Sequence, residues 1–189
     1  RRIYCDKVVD MSDKKRKLLI VANWKCNPAT LPEAKRLFTA ITKTTPQAKN
    51  VEVVVCPPSP VLSSFSVKGR SSFKLGAQDI FWEQTGAYTG AVGPQMARSV
   101  GAAYAIAGHS EQREYFNETN EMVEAKVEAA LAAGLRVVLC VGERSREGDA
   151  AEYAAFIKEE VQAGLRSVTK QSLKNVIIAY EPIWAICSD

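Results

Sequence analysis

Three side chains that follow short apolar runs could together carry out proton-transfer chemistry. Lys25, His109 and Glu181 each stand one or two residues after such a run. A carboxylate can remove a proton from carbon, an imidazole can donate a hydrogen bond to the adjacent carbonyl oxygen, and an ammonium group can stabilise the negative charge that develops. These residue types therefore predict proton abstraction from a carbon atom next to a carbonyl group.

The residues after His109 favour an uncharged imidazole. Ser110 can cap a short helix with Arg113 and Glu114 in its first turn, which puts His109 near the positive end of the helix dipole. That field disfavours a protonated ring, and a neutral ring can still donate a hydrogen bond. A Ser-His-Asp hydrolase is disfavoured because Ser110 adjoins His109, so that their side chains diverge, and because the sequence has no G-x-S-x-G elbow.

Each of these three residues also has an ordinary structural interpretation. A histidine can be packed in a core, a lysine can end a strand at the surface, and a glutamate can belong to a structural salt bridge. The catalytic interpretation depends on the combination of all three at the ends of strands of one sheet.

Six short apolar runs, each followed by a helical pattern, must position these side chains. The runs are rich in Val, Ile, Leu and Ala, which is typical of parallel strands buried on both faces. Between them the apolar period becomes helical, as at Ala34, Leu37, Phe38 and Ile41. The order strand, helix, strand predicts an α/β fold with a parallel sheet. The predicted strands are Leu18–Asn23, Val51–Cys56, Phe73–Ala77, Ala103–Gly108, Arg136–Val141 and Val176–Tyr180.

Two α/β architectures fit this order, an open doubly wound sheet and a barrel. An open sheet usually has its ligand loop at one switch point of the strand order. Here polar residues follow five of the six strands, which favours the mouth of a barrel. These residues are Asn23, Lys25, Gln78, Asp79, His109, Ser110, Glu111, Glu143 and Glu181.

Composition and charge narrow the classes of function. The chain has 189 residues, of which 47% are hydrophobic and 24% charged, as is usual for one soluble domain. Residues 1–17 contain seven basic and three acidic residues, so they carry the whole net charge of +4 and the rest is neutral. We expect neither nucleic-acid binding nor a membrane span, because no basic stripe with interleaved aromatic residues and no long apolar run is present.

Cysteine and histidine usage indicates the compartment and limits metal chemistry. The five cysteines are odd in number and none has CxxC spacing, which favours a reducing, cytoplasmic environment. The single histidine excludes a multi-histidine metal site, and no cysteine cluster replaces it. We therefore expect neither a metal nor another cofactor.

Four segments, in this order and spacing, resemble the triosephosphate isomerase family. They are Ala22–Lys25, Ala107–Glu111, Leu139–Glu143 and Ala179–Ile186. The similarity extends from Leu18 to Ile186, and it implies a (β/α)₈ barrel that interconverts dihydroxyacetone phosphate and D-glyceraldehyde 3-phosphate in glycolysis and gluconeogenesis.

The resemblance also implies a role for each matching residue. Glu181 is the base that moves a proton between adjacent carbons through an enediolate, and neutral His109 polarises the carbonyl. Lys25 stabilises negative charge and binds substrate together with Asn23. The remaining implied roles are support of the site by Ser110, Glu111 and Cys140, a structural role for Arg113, a lid that begins at residues 182–186, and a homodimer in which Thr89 completes the partner's site.

The chain departs from the family pattern in length and in its last residues. A (β/α)₈ barrel needs about 250 residues, so we expect about six βα units, with strands seven and eight absent. Residues 1–17 are expected to be a disordered basic extension and residues 18–189 a partial barrel domain. Cys187 stands where the family's lid has a glycine, and Ala91 and Gly93 replace the family's usual residues in the dimer loop.

These departures predict weak or no isomerase activity for this chain alone. Two other hypotheses remain, a non-catalytic partner-binding fragment of the same ancestry and another phosphate-handling barrel enzyme.

Overall fold

A computed structural model describes residues 18–44, 50–67, 73–146 and 149–185 of the chain. The predicted N-terminal extension, residues 1–17, and Cys187 of the predicted lid both lie outside these ranges. Within the described residues, no helix is long and apolar enough to cross a membrane.

Six parallel strands form one curled sheet in which spatial order equals chain order. Each strand pairs with the next strand along the chain, and every pairing is parallel. A doubly wound sheet reverses its strand order at a switch point, so the sequential order confirms the barrel type of α/β fold with six βα units. The strands are β1 Leu18–Asn23, β2 Val51–Cys56, β3 Phe73–Ala77, β4 Ala102–Ala107, β5 Arg136–Val141 and β6 Val176–Tyr180.

Helical segments follow the strands, as the change of apolar period predicts. The longest of them, α1 (Leu31–Thr44), α5 (Asn120–Ala132) and α6 (Ala150–Gly164), follow β1, β4 and β5, and each places side chains in or against the larger apolar cluster. Short 3₁₀ turns at Leu173–Asn175 and Ile183–Ala185 flank β6. The helices are α1 Leu31–Thr44, α2 Ser59–Leu62, α3 Pro94–Ser99, α4 Ser110–Tyr115, α5 Asn120–Ala132 and α6 Ala150–Gly164.

Alternate residues of each strand pack against the helices or against one another on the opposite face. Val55, Leu75 and Leu139 belong to the cluster that also holds the helix residues Phe38 and Val127. The second cluster consists of strand residues alone, with Val54, Cys56, Tyr104, Ile106, Val138 and Cys140 as its buried members. Both faces of the central strands are therefore buried, which explains their continuous apolar sequences.

Two expectations from the sequence need correction. Strand β4 runs from Ala102 to Ala107, one residue earlier than predicted, because Gly108 has a φ of +75° and leaves the extended conformation. In α1, Ala34 and Phe38 are buried, but Leu37 is 41% exposed. The helix therefore presents a narrower apolar stripe to the sheet than its spacing predicts.

Candidate active site

A cleft of about 570 Å³ opens at the carboxyl ends of the first four strands. Asn23 and Lys25 line it after β1, and His109 and Glu111 line it after β4. Four of the predicted residues thus share one cleft because parallel strands present their carboxyl ends at the same edge of a sheet. Other lining residues include Cys26, Gln78, Gln112, Tyr115 and Phe116.

Hydrogen bonds hold Lys25 in an unusual backbone conformation. Its φ of +52° is uncommon for a residue other than glycine. The Asn23 Oδ1 accepts the Lys25 N–H at 2.9 Å, and the Gln78 side chain donates to the Lys25 carbonyl at 2.9 Å and to the Cys56 carbonyl at 2.8 Å. The Lys25 Nζ lies 2.8 Å from Glu111 Oε1, and both side chains are more than one third exposed. The ammonium group is therefore fixed at the cleft but remains accessible.

His109, rather than the predicted Ser110, caps helix α4. The Glu111 N–H donates to His109 Nδ1 at 3.2 Å, and Ser110 is the first residue of the helix. The imidazole ring occupies the capping position because the extended backbone of His109 turns the ring back over the first N–H groups of the helix. In this arrangement Nδ1 is the acceptor, which leaves Nε2 as the ring nitrogen available to donate a hydrogen bond.

Glu181 meets the other nitrogen of this ring. Its Oε1 lies 3.1 Å from His109 Nε2, and its Oε2 accepts the Ser110 N–H at 3.1 Å. The Glu181 side chain is 19% exposed, and Glu181 is not among the residues that line the cleft. The carboxylate thus rests against the helix terminus on the β6 side of His109.

Cys140 lies beneath this pair on β5. It is buried, and burial, followed by the nearby Glu181 charge, raises the pKa of its thiol. A buried neutral thiol packs as a small apolar group and is a poor nucleophile.

A buried carboxylate anchors the segment that follows Glu181. Glu143 Oε1 accepts hydrogen bonds from the Tyr180 hydroxyl at 2.8 Å, from Trp184 Nε1 at 2.8 Å and from Arg146 Nε at 3.0 Å. The Arg146 guanidinium also lies 4.4 Å from the centre of the Trp184 ring. Burial by itself would raise the pKa of Glu143, but these hydrogen bonds outweigh it and lower that pKa to about 2.

The predicted dimer-loop residue is separate from this cleft. Thr89 is exposed in the loop between β3 and α3 and is not among the cleft-lining residues. The Phe81 N–H donates to the Val92 carbonyl at 2.8 Å and closes the base of that loop, while the Phe81 and Tyr88 rings pack with their planes tilted by 49° and their centres 4.7 Å apart. The loop is thus an ordered projection at the surface.

Sequence reasoning identified Gln78 and Glu143 only as polar residues at strand ends. It missed Tyr180, Trp184 and Arg146 as the partners of Glu143, and the Lys25 and Cys56 carbonyls as the partners of Gln78. The position of Gln78 and Glu143 just after a buried strand was the available signal, but partners from different elements become visible only in three dimensions. Among the described residues, no group of three or more His, Cys, Asp or Glu side chains forms a metal-binding arrangement.

Comparison with known proteins identifies the family of the chain. The family model described as triosephosphate isomerase matches residues 18–189. A relative named triosephosphate isomerase from Alkaliphilus metalliredigens is 42% identical over 172 residues, which cover 90% of this chain and 68% of the relative. Relatives of the same name from Geotalea uraniireducens and Coprinopsis cinerea are 42% and 38% identical, with the same coverage. The chain belongs to the triosephosphate isomerase family.

Proposed function

We propose that this chain carries the proton-transfer groups of a triosephosphate isomerase, which interconverts dihydroxyacetone phosphate and D-glyceraldehyde 3-phosphate in glycolysis and gluconeogenesis. Family membership and the names of the relatives support the substrate. The free cysteines described in the structure, Cys26, Cys56 and Cys140, are compatible with the reducing cytoplasm that we propose as its location.

The observation that carries this proposal is the different hydrogen-bonding role of each of the two nitrogens of His109. Nδ1 accepts the Glu111 N–H, which leaves Nε2 as the donor next to Glu181. A neutral N–H donor beside a carboxylate base is the pair needed to abstract a proton next to a carbonyl group. Lys25 supplies a positive charge at the same cleft.

In the proposed reaction, Glu181 removes a proton from the carbon that bears the hydroxyl group. The electrons of the broken C–H bond form the carbon–carbon double bond of an enediolate, whose oxygens accept a hydrogen bond from His109 Nε2. Lys25 stabilises the negative charge of this intermediate, and Asn23 maintains the loop conformation that holds Lys25. His109 Nε2 gives its proton to the former carbonyl oxygen and takes the proton of the hydroxyl group in exchange, so that the former hydroxyl oxygen becomes the new carbonyl oxygen. The electrons of the carbon–carbon double bond take up the proton from the Glu181 carboxyl group at the adjacent carbon, and the reaction consumes and releases nothing else.

Glu181 must move to act in this way, because at rest it bonds to the Ser110 N–H outside the cleft lining. We propose that substrate binding draws the carboxylate past His109, together with the backbone of Pro182 to Ala185. The contacts of Trp184 and Tyr180 with Glu143 define the resting position of this segment. Closure over the substrate would exclude water from the enediolate.

Two further parts of the proposal concern the association of the chain and its activity. By family resemblance, the exposed loop that contains Thr89 joins a homodimer and reaches the partner's cleft.

The chain spans about two thirds of the relatives' length. We expect the 189-residue chain by itself to turn over triose phosphate weakly or not at all. Among the described residues, β1 and β6 each pair on one side only, and the residues that line the cleft follow only four of the six strands.

The test compares the 189-residue chain with a fusion that adds the part of the Alkaliphilus metalliredigens relative that follows the matched region. We expect the fusion to isomerise triose phosphate, and Glu181→Gln in the fusion to lower kcat about 10²- to 10⁴-fold. Glu159→Gln, an exposed position on α6, is the matched control. A well-folded fusion without activity contradicts the function, and equal activity in both proteins contradicts the weak activity of the shorter chain.

A second candidate function is a non-catalytic, partner-binding role of the same ancestry. It is favoured by one observation, the exposed apolar side chains of the two edge strands, with Ile20 on β1 54% exposed and Ile178 on β6 44% exposed. An inactive fusion, combined with stable stoichiometric association of the 189-residue chain with another protein, would support this alternative.

A further inference from the structure

Glu160, on helix α6, is a buried carboxylate outside the cleft. Its side chain is 4% exposed, whereas its neighbour Glu159 is exposed. A glutamate is rarely buried to this degree unless it is paired with a charge or with hydrogen-bond donors. The partners of Glu160 therefore indicate why a carboxylate is buried at this position of α6.

One carboxylate oxygen of Glu160 contacts the end of β5. Glu160 Oε2 accepts the Gly142 N–H at 2.8 Å, in a buried hydrogen bond. Gly142 in turn is pressed against the backbone of the proposed base, because a Cβ built on Gly142 would lie 1.8 Å from the Glu181 carbonyl oxygen. The Glu181 N–H also donates to the Val141 carbonyl at 2.8 Å. The backbone segment that Glu160 holds is thus the one against which the Glu181 backbone packs.

The other oxygen of Glu160 faces the turn that precedes His109. Glu160 Oε1 lies 3.5 Å from Arg113 Nε, and that same nitrogen donates to the Gly108 carbonyl at 3.0 Å. Arg113 Nη1 donates to Asn120 Oδ1 at 2.9 Å, which fixes the far end of the guanidinium. Gly108 immediately precedes His109, so Arg113 connects Glu160 to the backbone that carries the imidazole.

The Gly108 turn has little space in which to move. Gly108 has a φ of +75°, and a Cβ at this position would lie 2.9 Å from the Cys140 carbonyl oxygen. The turn therefore packs directly on β5, the same strand whose end Glu160 holds. Through one carboxylate, helix α6 is tied to the ends of β4 and β5, and through Gly142 to β6.

We propose that Glu160 is a positioning residue that sets the separation of His109 and Glu181, through Arg113 on one side and the Gly142 N–H on the other. This inference rests on the proposed function for its catalytic consequence, but not for its geometry. The competing explanation is that Glu160 only neutralises the partly buried Arg113 and contributes to stability. The two explanations differ in whether the His109 ring responds when Glu160 is changed.

The single histidine of the chain provides a direct reporter of this response. We would record the Nδ1 and Nε2 resonances of ¹⁵N-histidine in the 189-residue chain for the wild type, Glu160→Ala, Glu160→Gln and the exposed control Glu159→Ala. Glu160→Ala removes both contacts, whereas Glu160→Gln keeps an acceptor for the Gly142 N–H and loses the charge that faces Arg113. We expect displaced His109 resonances in Glu160→Ala, a smaller displacement in Glu160→Gln, and wild-type resonances in Glu159→Ala.

The outcomes separate a positioning role from a purely structural one. Wild-type His109 resonances in a folded Glu160→Ala variant, even one with lowered stability, would overturn the proposal. Should Glu160→Ala not fold, Glu160→Gln decides in the same way, with displaced resonances as support and wild-type resonances as refutation.

The kinetic consequence is measured in the active fusion described above. There Glu160→Ala should lower kcat about 10- to 100-fold with little change in KM, as expected for misplaced reacting groups. Glu159→Ala should change neither constant, and a change confined to KM would oppose the proposal. An inactive wild-type fusion would refute the function while leaving the histidine spectra to test the positioning role.

Discussion

Two lysines near the carboxyl ends of the strands differ in how deeply their charges are buried. Lys25 is accessible at the cleft and pairs with the exposed Glu111. Lys126 is 6% exposed and contacts Asp79 and the buried Glu118. An exposed pair contributes little to stability, whereas loss of one partner from a buried pair leaves an uncompensated charge.

We predict that Lys126→Met lowers the free energy of unfolding by about 3–5 kcal/mol, and that Lys25→Met changes it by less than about 1 kcal/mol. Urea denaturation of both variants measures the difference. In the fusion, Lys25→Met should nevertheless abolish most of the isomerase activity. Equal stability losses in the two variants would contradict this assignment of roles.

The second residue-scale prediction concerns Glu143 and acid stability. Hydrogen bonds hold its folded-state pKa at about 2, below the ordinary value of 4.5. Because the folded pKa is the lower one, Glu143 stabilises the folded protein at pH values above 4.5, and this contribution is lost as the pH falls from 4.5 towards 2. Urea denaturation across this range should show a falling free energy of unfolding.

Glu143→Gln is the variant that tests this attribution. It removes the titrating group, so stability should fall less steeply between pH 4.5 and 2 than in the wild type. The exposed Glu159→Gln serves as the control and should keep the wild-type slope. A Glu143→Gln profile parallel to the wild type would mean that other carboxylates dominate the acid transition.

At the scale of elements, strand β5 is the centre of the packing that supports the site. Leu139 is fully buried, and a Cβ built on Gly164 of α6 would lie 2.7 Å from its side chain. The small residue on α6 therefore lets the helix approach the strand closely. The same close approach brings Glu160 within reach of Gly142 and Arg113.

Leu139→Ala should lower the free energy of unfolding by about 2–5 kcal/mol, because it leaves a cavity between β5 and α6. Leu173→Ala, at a position that is 48% exposed, is the control and should change stability by no more than about 0.5 kcal/mol. Chemical denaturation measures both. A small effect of Leu139→Ala would show that α6 can collapse onto the strand.

At the scale of the whole molecule, the two edge strands expose apolar side chains. Among the described residues, β1 pairs only with β2 and β6 only with β5, and Leu18, Ile20, Ile178 and Tyr180 on these strands are 44–68% exposed. Unpaired, apolar strand edges are templates for association with another chain.

We predict that the 189-residue chain self-associates as its concentration rises, and that the double variant Ile20→Lys, Ile178→Lys weakens this association. Sedimentation velocity over a concentration series measures the effect. Leu37→Lys, on the exposed side of α1, is the control and should leave association unchanged. Monomeric wild-type protein at all concentrations would contradict the role of the edges.

Local sequence patterns determined the elements and the identity of the proposed reacting groups. Five of the six predicted strands match the observed bounds, because continuous Val-, Ile- and Leu-rich runs have few alternatives to a buried parallel strand. Polar residues just after these runs were predicted to gather at one edge, and Asn23, Lys25 and His109 do line one cleft. The catalytic roles of these residues stay predictions.

Only the tertiary structure decided which groups touch. Residues that are distant in the sequence, such as Glu160 with Gly142 and Arg113, or Trp184 with Glu143, meet because strands pair in register and helices pack closely on the sheet. The sequential strand order, which selects the barrel over the doubly wound sheet, depends on the same long-range pairing. Periodicity reports whether a residue is buried, but the partner of a buried charge is fixed by packing in three dimensions.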